Sequence, residues 1–287
     1  ELGALRAELR GALLAELRGR LRSQHLRTGT SLDVIDRMLR ALDVAEQHGA
    51  PILGFARRFA TYKRATLLLR DTERLHRMLA HAERPAVLVF AGKAHPNDGG
   101  GQDMIRQLYH CSMRPEFLGR LIVLEGYDLA LARLLVQGCD VWLNTPEYPM
   151  EASGTSGMKA GANGCVNVSI LDGWWAEGYD GSNGFAIPHV VNADTGQRDA
   201  AEAANLYDLL EQKVLPEYYG SDGSPPSAAW LRRVRQSVRT IASRFSATRM
   251  VSDYIGRLYL PAAVFGRRAN ASAGKIATNL ARWKNLV

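Results

Sequence analysis

Short, almost wholly apolar runs recur along this chain, each separated from the next by room for one helix. That spacing restricts the fold more than any other feature. The runs are Pro85-Ala-Val-Leu-Val-Phe-Ala91, Leu121-Ile-Val-Leu124, Cys139-Asp-Val-Trp-Leu143 and Val166-Asn-Val-Ser-Ile-Leu171, and the candidate strand Pro51-Ile-Leu-Gly-Phe55 precedes them. Strands that are apolar on both sides belong to sheets covered on both faces. Helical sequence fills the gaps over residues 62–81, 104–111 and 129–137 and returns near Met158. The alternation predicts βαβ units, and so an α/β fold built on a Rossmann-like parallel sheet flanked by helices. Ligands of such sheets sit outside the carboxyl ends of the strands.

The ends of the chain read as helix. Leu5, Leu9, Leu13, Leu14, Leu17 and Leu21 recur mostly at spacings of three and four, which makes one apolar face. Thr28-Gly-Thr-Ser31 interrupts it, Ser31 or Asp33 caps a second helix, and Gly49 closes that helix just before Pro51. Beyond residue 200, helices are expected over 201–214, 230–244 and 247–259, with Tyr219-Gly-Ser-Asp-Gly-Ser-Pro-Pro226 as a linker. The expected division is 1–50, N-terminal helices; 51–215, the Rossmann-like sheet domain; 227–262, C-terminal helices; and 263–287, a basic tail.

Composition removes several classes of function. Of 287 residues 46% are hydrophobic, enough for a large core, yet no run is long enough to span a membrane and no signal peptide opens the chain. Cys111, Cys139 and Cys165 are far apart and lack CxxC spacing, so they read as core residues of a protein from a reducing cytoplasm, with no metal site. The formal net charge of +7 is spread along helices without any RNP, KH or zinc-finger pattern, so no nucleic-acid partner is expected. His-Glu-x-x-His, Gly-x-Ser-x-Gly and Gly-x-Gly-x-x-Gly are all missing, which counts against zinc proteases, serine hydrolases and dinucleotide enzymes.

The chemistry concentrates in loops that follow strands. Gly54-Phe-Ala-Arg-Arg-Phe-Ala-Thr-Tyr-Lys-Arg64 brings Arg57, Arg58, Lys63 and Arg64 to one rim, where arginine forks and a lysine suit phosphate. A solvated basic helix face is the plainer alternative. Gly92-Lys-Ala-His-Pro96 adds Lys93 and His95 but lacks the nucleotide P-loop pattern. Tyr127 follows the third strand, placed to stack on a flat cofactor or simply to pack at a strand end. Trp174 and Trp175 fit either a carbohydrate path or packing beneath a loop.

The most specific stretch is Glu151-Ala-Ser-Gly-Thr-Ser-Gly-Met-Lys-Ala-Gly-Ala-Asn-Gly164. It sets Lys159 beyond small, flexible residues, with hydroxyls on Ser153, Thr155 and Ser156. A helix starting near Ser156 offers free N–H groups and a favourable dipole to an anion beside the lysine. A phosphate next to an amine able to form a Schiff base is what a pyridoxal phosphate pocket requires.

Together, the motifs Phe55 to Arg64, Gly92 to Pro96 and Glu151 to Gly164 resemble the α-glucan phosphorylases, the glycogen and maltodextrin phosphorylase family, in its short bacterial branch. The resemblance implies the C-terminal half of a two-domain GT-B glycosyltransferase fold, with residues 1–50 as N-terminal helices at the domain junction and 51–215 as the domain that binds the cofactor. It implies pyridoxal 5'-phosphate as cofactor, with Lys159 joined to it, Thr155 and Ser156 holding its phosphate, and Tyr127 and Arg57 beside it. Many relatives have lysine at the position of Arg57. Arg58 and Lys63 would bind the cofactor phosphate or the substrate phosphate, and Glu151, Ala152, Ser153 and Gly154 the glucosyl unit. The implied partners are α-1,4-glucan or maltodextrin, inorganic phosphate and glucose 1-phosphate, with homo-oligomerisation possible. The glycine-rich loop and the histidine of the family's N-terminal domain have no counterpart. The chain opens at Glu1 directly into helix-like sequence, and so reads as a fragment that is inactive without that domain. Two other readings stay open: a related sugar-nucleotide glycosyltransferase of the same fold, and a non-catalytic carbohydrate-binding module derived from a phosphorylase.

Overall fold

The computed structural model describes residues 1–191, 194–221 and 225–286. Among these residues six strands, β1 (Ile52–Ala56), β2 (Val87–Ala91), β3 (Leu121–Leu124), β4 (Val141–Asn144), β5 (Val166–Ile170) and β6 (Gly184–Ile187), form one sheet in the order β3-β2-β1-β4-β5-β6. Every pairing is parallel, with Leu53 opposite both Leu88 and Val141, and Val168 opposite Phe185. This is the doubly wound Rossmann order. The direction of winding reverses between β1 and β4, so the ligand crevice of such a sheet lies outside the ends of those two strands.

Strand alternation sends successive side chains to two cores. Leu53, Phe55, Leu88, Phe90, Leu143 and Val168 face one core, and Ile52, Val87, Val89, Ile122 and Trp142 face the other. The first core is roofed by α3 (Thr72–Leu79), α4 (Gly99–Ser112), α8 (Thr195–Leu209), α9 (Leu215–Tyr219) and α10 (Ala228–Arg244). The second is roofed by α1 (Leu2–Arg27), α2 (Leu32–Gln47), α5 (Leu129–Gly138) and α6 (Thr155–Ala162). The leucine stripe of α1 behaves as its spacing predicts, with Leu13, Leu14, Leu17 and Leu21 buried. Leu5 instead stays exposed. α2 ends in a Schellman motif: Gly49 takes φ 62, its N–H donates to Glu46 O at 2.8 Å, and the Ala50 N–H donates to Ala45 O at 2.8 Å.

The structure departs from the sequence expectations in three places. Residues 62–81 are not one helix: 3-10 turns at Thr61–Lys63 and Leu67–Asp71 precede α3, because Arg64 sits in the left-handed region at φ 47. The glycines 99–101 belong to the first turn of α4, started by Asp98, whose side chain accepts from the Gly101 N–H at 2.9 Å. β6 and the short α7 (Trp174–Gly178) were not anticipated. Of the expected linker, residues 222–224 lie outside the described residues.

Two compact units are present, Glu1–Ile241 and Ala242–Val287. The second is helical, with α11 (Ala247–Tyr254), α12 (Leu260–Asn270) and α13 (Lys275–Lys284), and its Leu258, Tyr259, Phe265 and Trp283 are exposed. All three cysteines are free and buried. Among the described residues no helix is long and apolar enough to cross a membrane.

Candidate active site

The loops after β1 and β2 stay paired beyond the strands. The Arg57 N–H donates to Ala91 O at 3.1 Å and the Phe59 N–H to Lys93 O at 3.0 Å. Gly92 permits this approach: a β-carbon there would lie 2.0 Å from the Arg57 carbonyl oxygen. The extended alternation therefore continues past β1. It turns Arg57 inward, Arg58 out to solvent and Phe59 inward.

Arg57 meets two groups delivered by β4 and its loop. One terminal nitrogen donates to Asn144 Oδ1 at 2.9 Å, the other to Glu151 Oε2 at 2.5 Å. Lys63 Nζ donates to the same carboxylate, at 2.9 and 3.2 Å, and lies 4.7 Å from the centre of the Tyr62 ring. Arg57, Lys63 and Glu151 are all buried. The Glu151 N–H in turn donates to Asp172 Oδ2 at 2.9 Å, beyond β5. Glu151 thus joins the ends of β1, β4 and β5. Two further N–H groups here, Arg57 Nε and Asn144 Nδ2, are buried and have no acceptor among the described residues. Buried donors left unpaired are rare in proteins, so a water molecule or a ligand is expected to supply their acceptors.

Lys159 stands on the other side of α6. It is exposed and lines a groove of about 650 Å³ between α5 and α6, together with Tyr127, Arg133, Trp142, Thr155 and Ser156. The volume lies in the usual range for small-molecule pockets, about 300–1,000 Å³. Gly154, the N-cap of α6, takes φ 88, and the first N–H groups of a helix lack acceptors in its own preceding turn. Ser156 Oγ accepts weakly from Trp142 Nε1 at 3.4 Å. Tyr127 is half-buried, and burial pushes its phenol above the usual range. Groove and buried cluster adjoin at the α6 N-terminus, where a β-carbon on Gly154 would lie 3.5 Å from Glu151 Cγ.

Sequence-predicted site residues therefore fall into groups. The groove collects Tyr127, Thr155, Ser156 and Lys159, and the buried cluster collects Arg57, Lys63 and Glu151. Arg57 and Lys63 are not among the residues lining the groove. Gly154 is the junction between them, while Arg58, Ala152 and Ser153 are exposed. His95 is an exposed turn residue that accepts from the Asn97 N–H at 3.1 Å. Trp174 and Trp175 pack inward, and Trp175 Nε1 donates to Phe185 O at 3.2 Å. Asn144, Asp172, Trp142 and Arg133 escaped the sequence reading. The first two had a usable signal, a polar side chain closing an apolar strand.

A family model described as carbohydrate phosphorylase matches residues 55–178. A maltodextrin phosphorylase of Thermococcus litoralis is 46% identical over 82% of this chain and 28% of its own length. A glycogen phosphorylase of Mycobacterium tuberculosis is 43% identical over 98% of this chain and 32% of its own. The glycogen phosphorylase of Aquifex aeolicus is 44% identical over 72% of this chain and 30% of its own. The chain thus spans about three tenths of the length of these curated relatives. Among solved structures, the C-terminal domain of a group 1 family glycosyl transferase from Francisella tularensis aligns with a TM-score of 0.46 at 15% identity, covering 72% of this chain and 93% of that one.

Proposed function

The chain belongs to the α-glucan phosphorylase family, spanning part of the length of its longer members, and on that premise we propose that it is the pyridoxal-phosphate-binding domain of such an enzyme. It is the C-terminal half of a GT-B pair. With its N-terminal counterpart it takes glucose 1-phosphate from the end of an α-1,4-glucan, using inorganic phosphate.

The observation that carries this reading is the setting of Lys159: an exposed amine in a groove of about 650 Å³, beside a tyrosine, a tryptophan and the first turn of a helix. The groove fits a flat, phosphorylated aldehyde. Lys159 supplies the attaching amine, Tyr127 and Trp142 supply ring surface, and Thr155, Ser156 and the α6 amides supply donors for the phosphate. When bound, the cofactor supplies a phosphate group that serves inorganic phosphate as proton donor or electrostatic partner.

The chain's own residues then have three tasks. Lys63, Arg57 and Arg58 offset the repulsion between two neighbouring phosphates, about 4 kcal/mol for each pair of unit charges 4 Å apart near a protein surface. Arg57 Nε and Asn144 Nδ2 offer donors to an anion or a hydroxyl. Glu151, with the backbone of Ala152, Ser153 and Gly154, receives the glucosyl hydroxyls. The N-terminal half closes the crevice, so this chain alone binds cofactor without turning over glucan.

The reading is tested by adding pyridoxal 5'-phosphate to the purified chain and recording the visible absorbance of the lysine-bound form. The band is expected in the wild type and lost in Lys159→Ala. A band that survives this substitution, or never forms, contradicts the proposal.

A further inference from the structure

Arg64, one residue past Lys63, takes φ 47 and ψ 48, a conformation its β-carbon disfavours. Such outliers persist only where the surroundings over-determine them. Here the surroundings are polar and buried. Arg64 Nε donates to Thr145 O at 3.0 Å, one terminal nitrogen to Asp199 Oδ1 at 2.8 Å, and the other to Pro146 O at 2.8 Å and to Glu202. Glu202 is 0% exposed, and its second oxygen accepts from the Val190 N–H at 2.8 Å. Thr145 Oγ1 donates to Lys63 O at 3.1 Å, and the Glu147 N–H donates to Tyr62 O at 2.7 Å. One arginine and two carboxylates of α8 therefore tie together the chain leaving β1, β4 and β6.

A buried charged clasp is a poor way to gain stability, since well-packed apolar side chains of similar volume do as well or better. What it does fix is direction. The left-handed turn at Arg64 ends the 3-10 turn at Lys63 and stops a helix from continuing. Lys63 Nζ is thereby held 2.9 Å from Glu151 beneath the rim. We infer that Arg64 and Glu202 are positioning residues for anion binding: they touch no ligand, and they hold Lys63 and the β4 loop in the arrangement that receives a phosphate. This rests on the reading of the Arg57–Lys63–Glu151 cluster as an anion site.

The test uses the full chain as wild type, Glu202→Gln and Arg64→Lys. Glutamine keeps an acceptor for the Val190 N–H and loses only the charge facing Arg64, while lysine keeps the charge and loses the fork. Two readouts are taken: dissociation constants for pyridoxal 5'-phosphate and for pyridoxal, and the rate at which acetic anhydride acylates Lys63, followed by mass spectrometry with Lys159 as internal control. Losing one charge-assisted contact predicts affinity for the phosphorylated ligand about tenfold weaker or worse in both variants, with pyridoxal changed less than about twofold. Acylation of Lys63 should rise by about the same factor in both, with Lys159 unchanged. Equal weakening of both ligands, or no change in either, alongside wild-type protection of Lys63, would overturn the inference and leave the clasp a matter of stability alone. If the wild type binds pyridoxal as tightly as its phosphate, the phosphorylase reading of the cluster fails. The positioning role is then decided by Lys63 acylation: faster in both variants supports it, unchanged rejects it.

Discussion

Glu151 receives both buried cations of the site, Arg57 at 2.5 Å and Lys63 at 2.9 Å. Its removal leaves two largely buried cations without their carboxylate. Glu151→Ala is therefore expected to destabilise the chain by about 3–5 kcal/mol, read as a lower midpoint in urea unfolding, because breaking a buried pair exposes the full desolvation penalty of the remaining charge. An unchanged midpoint would show that the cluster is hydrated. His25 behaves differently. Burial lowers its pKa from 6.5, against an opposing pull from Glu125, and its ring pairs with Thr30 Oγ1 at 3.2 Å and stacks on Tyr109. A depressed histidine pKa means that the unfolded chain binds the proton more readily. Its contribution to stability is present above pH 6.5 and is lost as pH falls through the lower folded value. Melting temperature should thus drop between pH 7.5 and 5 more steeply in the wild type than in His25→Gln, and parallel curves would contradict this.

At the scale of elements, α4 offers a clean contrast. It begins with three glycines, the poorest residues for a helix short of proline, and depends on the Asp98 cap to start. A β-carbon on Gly99 meets nothing within 4 Å, whereas one on Gly101 would lie 2.6 Å from Phe59 O. Gly99→Ala is expected to stabilise the chain by about 0.4–1 kcal/mol. Gly101→Ala should destabilise it by about 1–3 kcal/mol. Chemical denaturation of the two variants side by side measures both signs, and a shift in the same direction for both would refute the packing argument. These glycines also show what sequence alone can tell. β2 and β3 were legible because strands covered on both faces carry an unbroken apolar signal, and the Lys159 loop was legible because its long, specific pattern has few competing explanations. The left-handed turn at Arg64 was not: residues 62–81 look helical locally, and the carboxylates that break the helix arrive 135 and 138 residues later. The orphan donors on Arg57 and Asn144 were hidden for a similar reason. Pairing between residues 87 apart is a property of the fold, with no local trace. β6 was missed because Gly184-Phe-Ala-Ile187 is short and contains two small residues that carry little strand signal.

At the scale of the whole molecule, a parallel sheet with a winding reversal between β1 and β4 brings the Arg57 loop, the Glu151 loop and the start of α6 to one rim. The same rim carries a groove with an amine at its edge and a buried cationic cluster behind it. In the proposed function both features serve a single phosphorylated aldehyde, and the part proposed for the domain in glucan chemistry follows from holding it. The most direct measurement is borohydride reduction of the chain after incubation with pyridoxal 5'-phosphate, followed by peptide mass spectrometry. A phosphopyridoxyl group on Lys159, at stoichiometric yield and ahead of every other lysine, is the result expected. Labelling scattered over Lys93, Lys213 and Lys275 with Lys159 unmodified would contradict the account.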